Sequence, residues 1–496
     1  MKRIIALAAT GVAAGLLVGA ANADVFALEG PVKTNEFRQA DFKWAVHPRH
    51  DYSKTYVTKL FLSQAEFDPV HLGKYKMRDN GKQKVCMNCE QALEVIKGMD
   101  ALTLGLPKIV YLVGWQYNGH DSKYPAFFEG NRAVARASDK DPLDSVRWLM
   151  REAKKHHTTV SVHINLFDAY DDSPLFEEYK RADVLAREKD GTYILGDWAY
   201  KVSYAAEWEK GLLQKRVDRL CELLPICEAG TIHVDAFHSA VPFPVVGANG
   251  RHSIRMRSPI SPWHGHTREQ DIDAKRNIIK YFDSKGIDVT TEGVGGMDVG
   301  GIGEGWFPMY WHYGSREHAL SLKPSQACGG NVYGSLCAFG SNVNGEAVFR
   351  RNPDLDRALD VFKREFCKTT LVCQYLNTFK RKALLEGRDG SIGVFEDGVR
   401  TMWKGGRLSV AKDGEILSDG SDMLIPALWL GEGALLAYSE KGCRDRKWKV
   451  PTGVKLANKA KACTVTAKGR EEFNKFKIEG DSVTITLAPN EMVLIQ

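Results

Sequence analysis

Short apolar runs alternate with amphipathic stretches through the middle of the chain, and this alternation restricts the fold more than any other feature. Apolar runs predict buried parallel strands at residues 108–115, 158–165, 231–237 and 287–291. Helical patterns separate these runs, with Asp141-Pro142 opening one helix, a leucine-rich stripe over residues 212–224, and a capping box at Thr267-x-x-Gln270. Repeated strand–helix–strand units indicate a parallel sheet with right-handed crossovers.

The number of predicted strands favours an α/β fold of the (β/α)8 TIM-type barrel class. Weaker strand signals near residues 307–313, 336–341 and 371–375 continue the series. So many strands in succession fit a barrel better than an open sheet. No glycine-rich phosphate turn follows the first strand, which argues against a dinucleotide-binding fold.

The pattern changes after residue 380, where short alternating runs punctuated by Gly and Asp predict a C-terminal antiparallel β-sandwich over residues 381–496. The predicted catalytic barrel occupies residues 89–380. Residues 24–88 predict only a β-containing N-terminal segment, and residues 1–23 a signal peptide.

The first 23 residues have the three parts of a secretory signal. A basic start, Met1-Lys2-Arg3, precedes an apolar run and an Ala21-Asn22-Ala23 cleavage site. We therefore expect export to the periplasm or secretion; an uncleaved N-terminal anchor helix is the less favoured alternative. The formal net charge of +6 gives no case for nucleic acid or an anionic membrane as a partner. The sequence does not indicate an oligomeric state.

Ten cysteines fit an oxidising compartment. Their five close pairs predict disulfides in an exported protein; these are Cys86/Cys89, Cys221/Cys227, Cys328/Cys337, Cys367/Cys373 and Cys443/Cys463. A structural zinc site is less favoured, because only Cys86-x-x-Cys89 has knuckle spacing.

Polar side chains gather where the predicted strands end, which is where barrel enzymes place their chemistry. The predicted sugar-binding residues combine hydrogen-bonding groups with flat aromatic rings, which suit the hydroxyl edge and apolar face of a sugar. They are Trp115, Gln116, His120, Asp121, His163, Asn165, Trp208 and Trp306. The alternative for each aromatic residue is ordinary core packing.

Asp235 and Glu292 end the third and fourth predicted strands. Neighbouring strand ends can bring two carboxyl groups to the ~5–5.5 Å separation of retaining glycosidases. One carboxylate would attack the anomeric carbon, and the other would protonate the leaving oxygen. A strand-end cap or a buried ion pair is the structural alternative for each residue.

Four motifs in order resemble those of one enzyme family. They are similar to segments of the glycoside hydrolase family 101 endo-α-N-acetylgalactosaminidases. In chain order the motifs are Gly114-Trp115-Gln116 with Gly119-His120-Asp121-Ser122, His163-Ile164-Asn165, Val234-Asp235 and Thr290-Thr291-Glu292. The related family 129 α-N-acetylgalactosaminidases are a near alternative. The likeness extends over residues 105–315.

The resemblance implies a retaining (β/α)8 hydrolase that needs no cofactor and acts on O-glycans of mucin-type glycoproteins. It assigns Asp235 as nucleophile and Glu292 as general acid/base. The chain departs from the pattern at Phe237, where a tryptophan is expected, and in a loop over residues 240–266. Release of Galβ1-3GalNAc and exo removal of GalNAc both remain open.

Two rival interpretations come from other classes. A metal-dependent barrel hydrolase is suggested by the abundance of histidine, above all His264-x-His266, although that pair falls in a predicted loop. A non-catalytic glycan-binding protein with a decayed barrel is the second, and it would be expected to lack one of the two carboxylates.

Overall fold

The computed structural model describes the chain in several stretches. These are residues 26–37, 43–72, 75–195, 199–237, 244–246, 252–254, 260–292, 302–303, 305–309, 311, 334–340, 343–344, 347–351, 354–457 and 460–496. The predicted signal peptide and most of the 240–266 loop lie outside them. No helix of the described residues is long and apolar enough to cross a membrane.

A six-stranded parallel sheet forms the centre of the first half of the molecule. Its strands are β2 (Tyr56–Phe61), β5 (Lys108–Val113), β6 (Thr158–Asn165), β9 (Thr231–Asp235), β12 (Asp288–Thr291) and β13 (Val343–Asn344). Their order across the sheet is β12-β9-β6-β5-β2-β13. Strands β2, β5, β6, β9 and β12 therefore lie side by side in chain order, and β13 pairs with the outer side of β2.

Helices cross over between these strands, as the alternation predicts. They are α1 (Cys89–Thr103), α2 (Pro142–Ala153), α3 (Phe176–Arg181), α4 (Tyr204–Glu209), α5 (Leu212–Leu223), α6 (Ile226–Ala229), α7 (Arg268–Ser284), α8 (Ala347–Arg351), α9 (Leu355–Glu365) and α10 (Val372–Leu376). A π-helix, Phe366–Leu371, joins the last two. Three-residue 3₁₀ turns lie at Arg132–Val134, Lys154–His156, Pro262–His264 and Leu428–Leu430, and a longer one at Gly334–Phe339.

The helix starts are set by local sequence. Thr267 and Gln270 cap α7 reciprocally, which confirms the predicted capping box. Asp141 caps α2, whose first residue is Pro142. A second capping box, formed by Asn88 and Gln91, starts α1.

The fold class is confirmed as mixed α/β with a large antiparallel β-sheet domain, whereas the described strands do not close into a barrel. The parallel sheet also begins earlier than predicted, because β2 pairs with β5 from Tyr56 opposite Lys108 onward. A domain boundary at residue 88 would therefore cut this sheet.

Two of the weaker strand predictions are wrong. Residues 371–375 lie in the π-helix and α10, and residues 336–339 form part of a 3₁₀ helix. Both segments are apolar runs with buried residues, and a short apolar run is compatible with a buried helix as well as with a strand. Packing against the β-domain decides between the two here.

The C-terminal part consists of two antiparallel sheets. The large one has eleven strands in the order β1-β14-β15-β16-β17-β18-β19-β20-β26-β22-β23 and the small one three, β21-β25-β24. The strands are β1 (Lys33–Glu36), β14 (Arg381–Glu386), β15 (Gly390–Phe395), β16 (Val399–Lys404), β17 (Arg407–Lys412), β18 (Glu415–Ser418), β19 (Asp422–Pro426), β20 (Leu435–Ser439), β21 (Cys443–Lys449), β22 (Ala462–Thr466), β23 (Gly469–Phe473), β24 (Phe476–Glu479), β25 (Ser482–Leu487) and β26 (Glu491–Ile495). A core containing Leu435, Trp448 and Ile485 lies between them.

Three two-stranded antiparallel sheets are also present. They are the hairpin of β3 (Ser63–Leu72) with β4 (Tyr75–Val85), the pair β7 (Asp168–Ala169) and β8 (Tyr200–Lys201), and the pair β10 (Pro244–Val246) and β11 (His252–Ile254).

All nine cysteines in the described residues are free thiols, so the predicted disulfides are not formed there; Cys328 lies outside the described residues. Cys367 contacts the Met492 sulfur at 3.3 Å, whereas Cys373 faces Asn377. Cys443 and Cys463 belong to different sheets. Cys221 and Cys227 do approach within hydrogen-bonding distance of each other. Closeness along the chain thus did not ensure that paired sulfurs face each other.

Candidate active site

Asp235 and Glu292 meet at the carboxyl ends of two adjacent parallel strands. Thr291 in β12 lies opposite Val234 in β9, so the next residue of each chain segment, Glu292 and Asp235, leaves the sheet at the same edge. The two carboxyl groups lie within hydrogen-bonding reach of each other. Their side chains remain 18% and 22% exposed, so both reach the surface of the sheet edge.

Lys59, in β2, contacts Glu292. Its Nζ donates to Glu292 Oε1 at 2.9 Å, and its side chain is only 1% exposed. The ammonium group also lies 4.5 Å from the centre of the Trp311 ring, which is a cation–π distance. Glu292 is therefore held between a carboxyl group and a buried cation.

This arrangement separates the pKa values of the two acids. Burial and the neighbouring Glu292 charge raise the pKa of Asp235 well above its usual range. Burial would also raise the pKa of Glu292, but the Lys59 ammonium and its hydrogen bond hold that pKa well below the ordinary value. When the pair holds one proton, these opposite shifts favour the proton on Asp235 and the negative charge on Glu292.

Histidines from neighbouring strands line the base of the site. His163 Nε2 lies 3.7 Å from Asp235 Oδ2, and neither His163 ring nitrogen has a hydrogen-bond partner among the described residues. Burial and the Lys59 charge hold the His163 pKa well below its usual range, so the ring is neutral. His233 stacks on it with ring centres 5.2 Å apart and bonds Thr290 through Nδ1.

The loop after β5 brings His120 and Asp121 to this site. Gly114 and Gly119, at the two ends of the loop's first turn, both have positive φ and lie so close to Ser63 that a Cβ at either would collide with its backbone. His120 packs edge-on against His163, with ring centres 5.2 Å apart. Its Nδ1 has no hydrogen-bond partner among the described residues, and its Nε2 lies 3.4 Å from Asp121 Oδ2.

Asp79, in the β3–β4 hairpin, anchors this loop. Its Oδ2 accepts hydrogen bonds from Ser122 Oγ at 2.5 Å and from Asn118 Nδ2 at 2.9 Å. Lys123 Nζ lies 3.6 Å from the same oxygen. Since Asp79 is 7% exposed and its partners flank His120 and Asp121, the hairpin fixes where those two side chains point.

Three predicted sugar-binding residues are buried in structural roles instead. Trp115 is fully buried and donates from Nε1 to the His163 carbonyl at 3.1 Å. Gln116 is equally buried and donates to the Tyr124 hydroxyl. Asn165 accepts from the backbone amides of residues 167 and 168 and donates to Asp168, which closes the turn after β6.

The structure does not bring Trp208 and Trp306 to the carboxylate pair. Trp208, in α4, packs edge-on against Tyr281 of α7. Trp306 lies near Arg276 and Lys280, also of α7. Both indoles therefore belong to the helical layer.

Lys59 and Asp79 were not identified from the sequence. The available signal for Lys59 was a single charge inside an apolar run, since all six residues of β2 are buried. A buried lysine requires a partner, which marks such a position as a candidate site. Nothing in the sequence marks Asp79 as part of a site, because acidic residues are common in hairpins.

The histidines do not favour the metal-dependent rival. His264 and His266 pair with Asp183 and Glu209 respectively. His120, His163 and Asp235 each place one donor atom within 4.8 Å of the others. However, Asp235 also lies beside the Glu292 carboxyl group, as in the carboxylate pair of a glycosidase, and the same three donor groups can bind sugar hydroxyls.

Residues 77–250 match the glycoside hydrolase family 101 model, whose description is endo-alpha-N-acetylgalactosaminidase. This chain carries a glycoside hydrolase segment. The match confirms the predicted resemblance over a range that contains the hairpin anchor, both histidines and Asp235, and it ends before Glu292.

Solved structures of glycosidases resemble the chain at low identity. A ligand-free alpha-N-acetylgalactosaminidase, NagBb from Bifidobacterium bifidum, matches 72% of this chain and 57% of its own length with a TM-score of 0.46 and 10% identity. The GH36 alpha-galactosidase AgaA from Geobacillus stearothermophilus matches 92% and 56%, with a TM-score of 0.42 and 12% identity. The chain thus spans less than two thirds of either protein.

Proposed function

We propose that the protein is a retaining glycoside hydrolase that removes α-linked N-acetylgalactosamine, as Galβ1-3GalNAc or as GalNAc, from Ser/Thr of mucin-type O-glycoproteins. The observation that carries the proposal is the contact between the Asp235 and Glu292 carboxyl groups. Inverting enzymes place their two carboxyl groups about 6.5–9.5 Å apart to admit water, whereas retaining enzymes place them ~5–5.5 Å apart. Two carboxyl groups within reach of each other are nearer to the retaining spacing, and this supports the proposal.

In the proposed reaction Asp235 is the nucleophile and Glu292 the acid/base. The proton that rests on Asp235 passes to Glu292 through their hydrogen bond as the sugar enters. Asp235 then attacks the anomeric carbon while Glu292 gives the proton to the departing Ser/Thr oxygen, which forms a β-linked glycosyl-enzyme. Glu292 next deprotonates a water molecule, whose attack releases the sugar as the α-anomer and frees Asp235.

Sugar recognition is assigned to His120, Asp121 and His163. The unpartnered ring nitrogens of both histidines can accept or donate to hydroxyl groups beside Asp235. Burial raises the pKa of Asp121, and in its protonated form this carboxyl group can donate as well as accept a hydrogen bond. The predicted signal peptide would place this reaction outside the cytoplasm.

Product analysis on a core-1 O-glycopeptide tests the proposal. Release of the disaccharide indicates endo action, whereas activity on GalNAc-Ser without disaccharide release indicates an exo-α-N-acetylgalactosaminidase. Turnover of another α-glycoside alone would point to a different α-glycosidase. Absence of turnover on all of them would favour a glycan-binding protein, and activity abolished by chelators would favour the metal-dependent rival.

A further inference from the structure

Lys59 occupies an unusual place for a charged side chain. It lies in β2, which is separated from β12 in the sheet by β5, β6 and β9. Its contact with Glu292 therefore joins two parts of the sheet that are not neighbours. Removing an ammonium group from water is costly unless a partner is provided, and the strand is buried along its whole length.

Several other groups face the carboxylate pair. His120 and Asp121 approach from the loop after β5, His163 from β6 and His233 from β9. Lys59 differs from the histidines because its amino group lies 2.9 Å from Glu292 Oε1 and so contacts the carboxylate directly. The Trp311 ring beneath it offers a second favourable contact, which keeps the charge in place.

We propose that Lys59 is a positioning residue that sets the pH window in which Asp235 and Glu292 together hold one proton. The proposal rests on the function proposed above, because the singly protonated pair is the form that can both attack and donate. A nearby cation favours every ionised form of the pair. It therefore shifts the loss of the first and of the second proton to lower pH.

Removing the Lys59 charge should displace the pH profile upward. Without the Lys59 charge both carboxyl pKa values rise, so the doubly protonated and singly protonated forms persist to higher pH. The bell-shaped dependence of kcat/KM on pH, which reports the free enzyme, should then move to higher pH as a whole. Contact with one opposite charge shifts a carboxyl pKa by about one to three units, and this sets the expected displacement.

The kinetic test compares Lys59→Met, Lys59→Arg and the wild-type protein on an aryl α-GalNAc. Lys59→Met should displace both limbs upward, and Lys59→Arg should restore them because it keeps the charge. Lys108→Met is the matched control, since Lys108 is another buried strand lysine that pairs with Asp100. Unchanged limbs in folded Lys59→Met, or an equal displacement in Lys108→Met, would overturn the proposal.

A second measurement does not depend on turnover. ¹³C NMR of carboxyl-labelled wild-type protein should show the Glu292 carboxylate, identified by its loss in Glu292→Gln, ionised to a pH below the ordinary range for glutamate. Titration within or above that range would overturn the role of Lys59 even if Lys59→Met does not fold. The two proposals can fail separately. If the wild-type protein cleaves no glycoside but its Glu292 carboxylate still has a lowered pKa, the proposed function is refuted and the role of Lys59 is kept.

Discussion

At the residue scale, the site combines groups that sequence reasoning could and could not find. Asp235 and Glu292 were predictable because each follows an apolar strand, and adjacent parallel strands end at one edge. Lys59 was not, because its partner lies more than 200 residues away and across the sheet. The positions of the tryptophans could not be predicted, because an indole near a strand end packs into the core as readily as against a sugar.

Glu292→Gln should separate substrates by their leaving groups. Natural O-glycans depart as a poor Ser/Thr alkoxide and need a proton, so their turnover should fall about 10²–10⁴-fold. An activated aryl α-GalNAc leaves without help and should keep more of its first-step rate. Steady-state and pre-steady-state kinetics on both substrates provide the measurement, and added azide should rescue Glu292→Ala.

Asp235→Asn is the companion variant. It should be nearly inactive on both substrate classes, because no nucleophile remains. Equal losses on both classes in Glu292→Gln, or preferential loss on natural glycans in Asp235→Asn, would indicate that the two roles are reversed.

At the element scale, the β3–β4 hairpin holds the loop that carries His120 by several contacts. The Asp79 carboxylate accepts two hydrogen bonds from the loop, and Ser63 and Gln64 of β3 bond the backbone of His120. The sequence predicted β structure before residue 89 without its pairing, because strand partners depend on register and packing that no local pattern contains. The loop that carries His120 and Asp121 was predicted at the correct strand end. Its attachment to Asp79 became visible only in three dimensions.

Asp79→Ala should loosen that loop. Loss of the hydrogen bonds to Ser122 and Asn118 should raise KM and lower kcat/KM by about tenfold or more, because each bond to a charged group contributes ~1.5–3 kcal/mol. Asp79→Asn keeps an acceptor oxygen and should recover part of the loss. Lys82→Ala, in the same hairpin but exposed, is the control and should behave as wild type. Unaltered kinetics in folded Asp79→Ala would show that the position of the loop does not depend on Asp79.

At the scale of the whole molecule, the parallel sheet region and the β-domain are joined by one continuous core. Residues of both parts, including Tyr56, Phe366 and Leu436, belong to a single buried cluster. Trp429 donates to the Leu104 carbonyl, and Lys368 pairs with Glu440 at 3.0 Å. The change of pattern at residue 380 predicted where the β-domain begins, but it could not show how extensively the two parts share side chains.

The shared core predicts a single cooperative unfolding transition. Because removing residues 381–496 would expose apolar side chains of that cluster, a chain ending at residue 380 should not fold independently. Differential scanning calorimetry of the full chain should show one peak. Two separable transitions, or a stable folded fragment 24–380, would mean that the parts are independent domains.

The most direct test of the central claim is the configuration of the first product. ¹H NMR during hydrolysis of an α-GalNAc substrate follows the anomer before mutarotation mixes the two forms. Asp235 attacks first and water displaces it second, and the closeness of the two carboxyl groups supports this double displacement. Because two inversions restore the original configuration, the account predicts that the α-anomer appears first. Initial appearance of the β-anomer would contradict a retaining mechanism at Asp235 and Glu292.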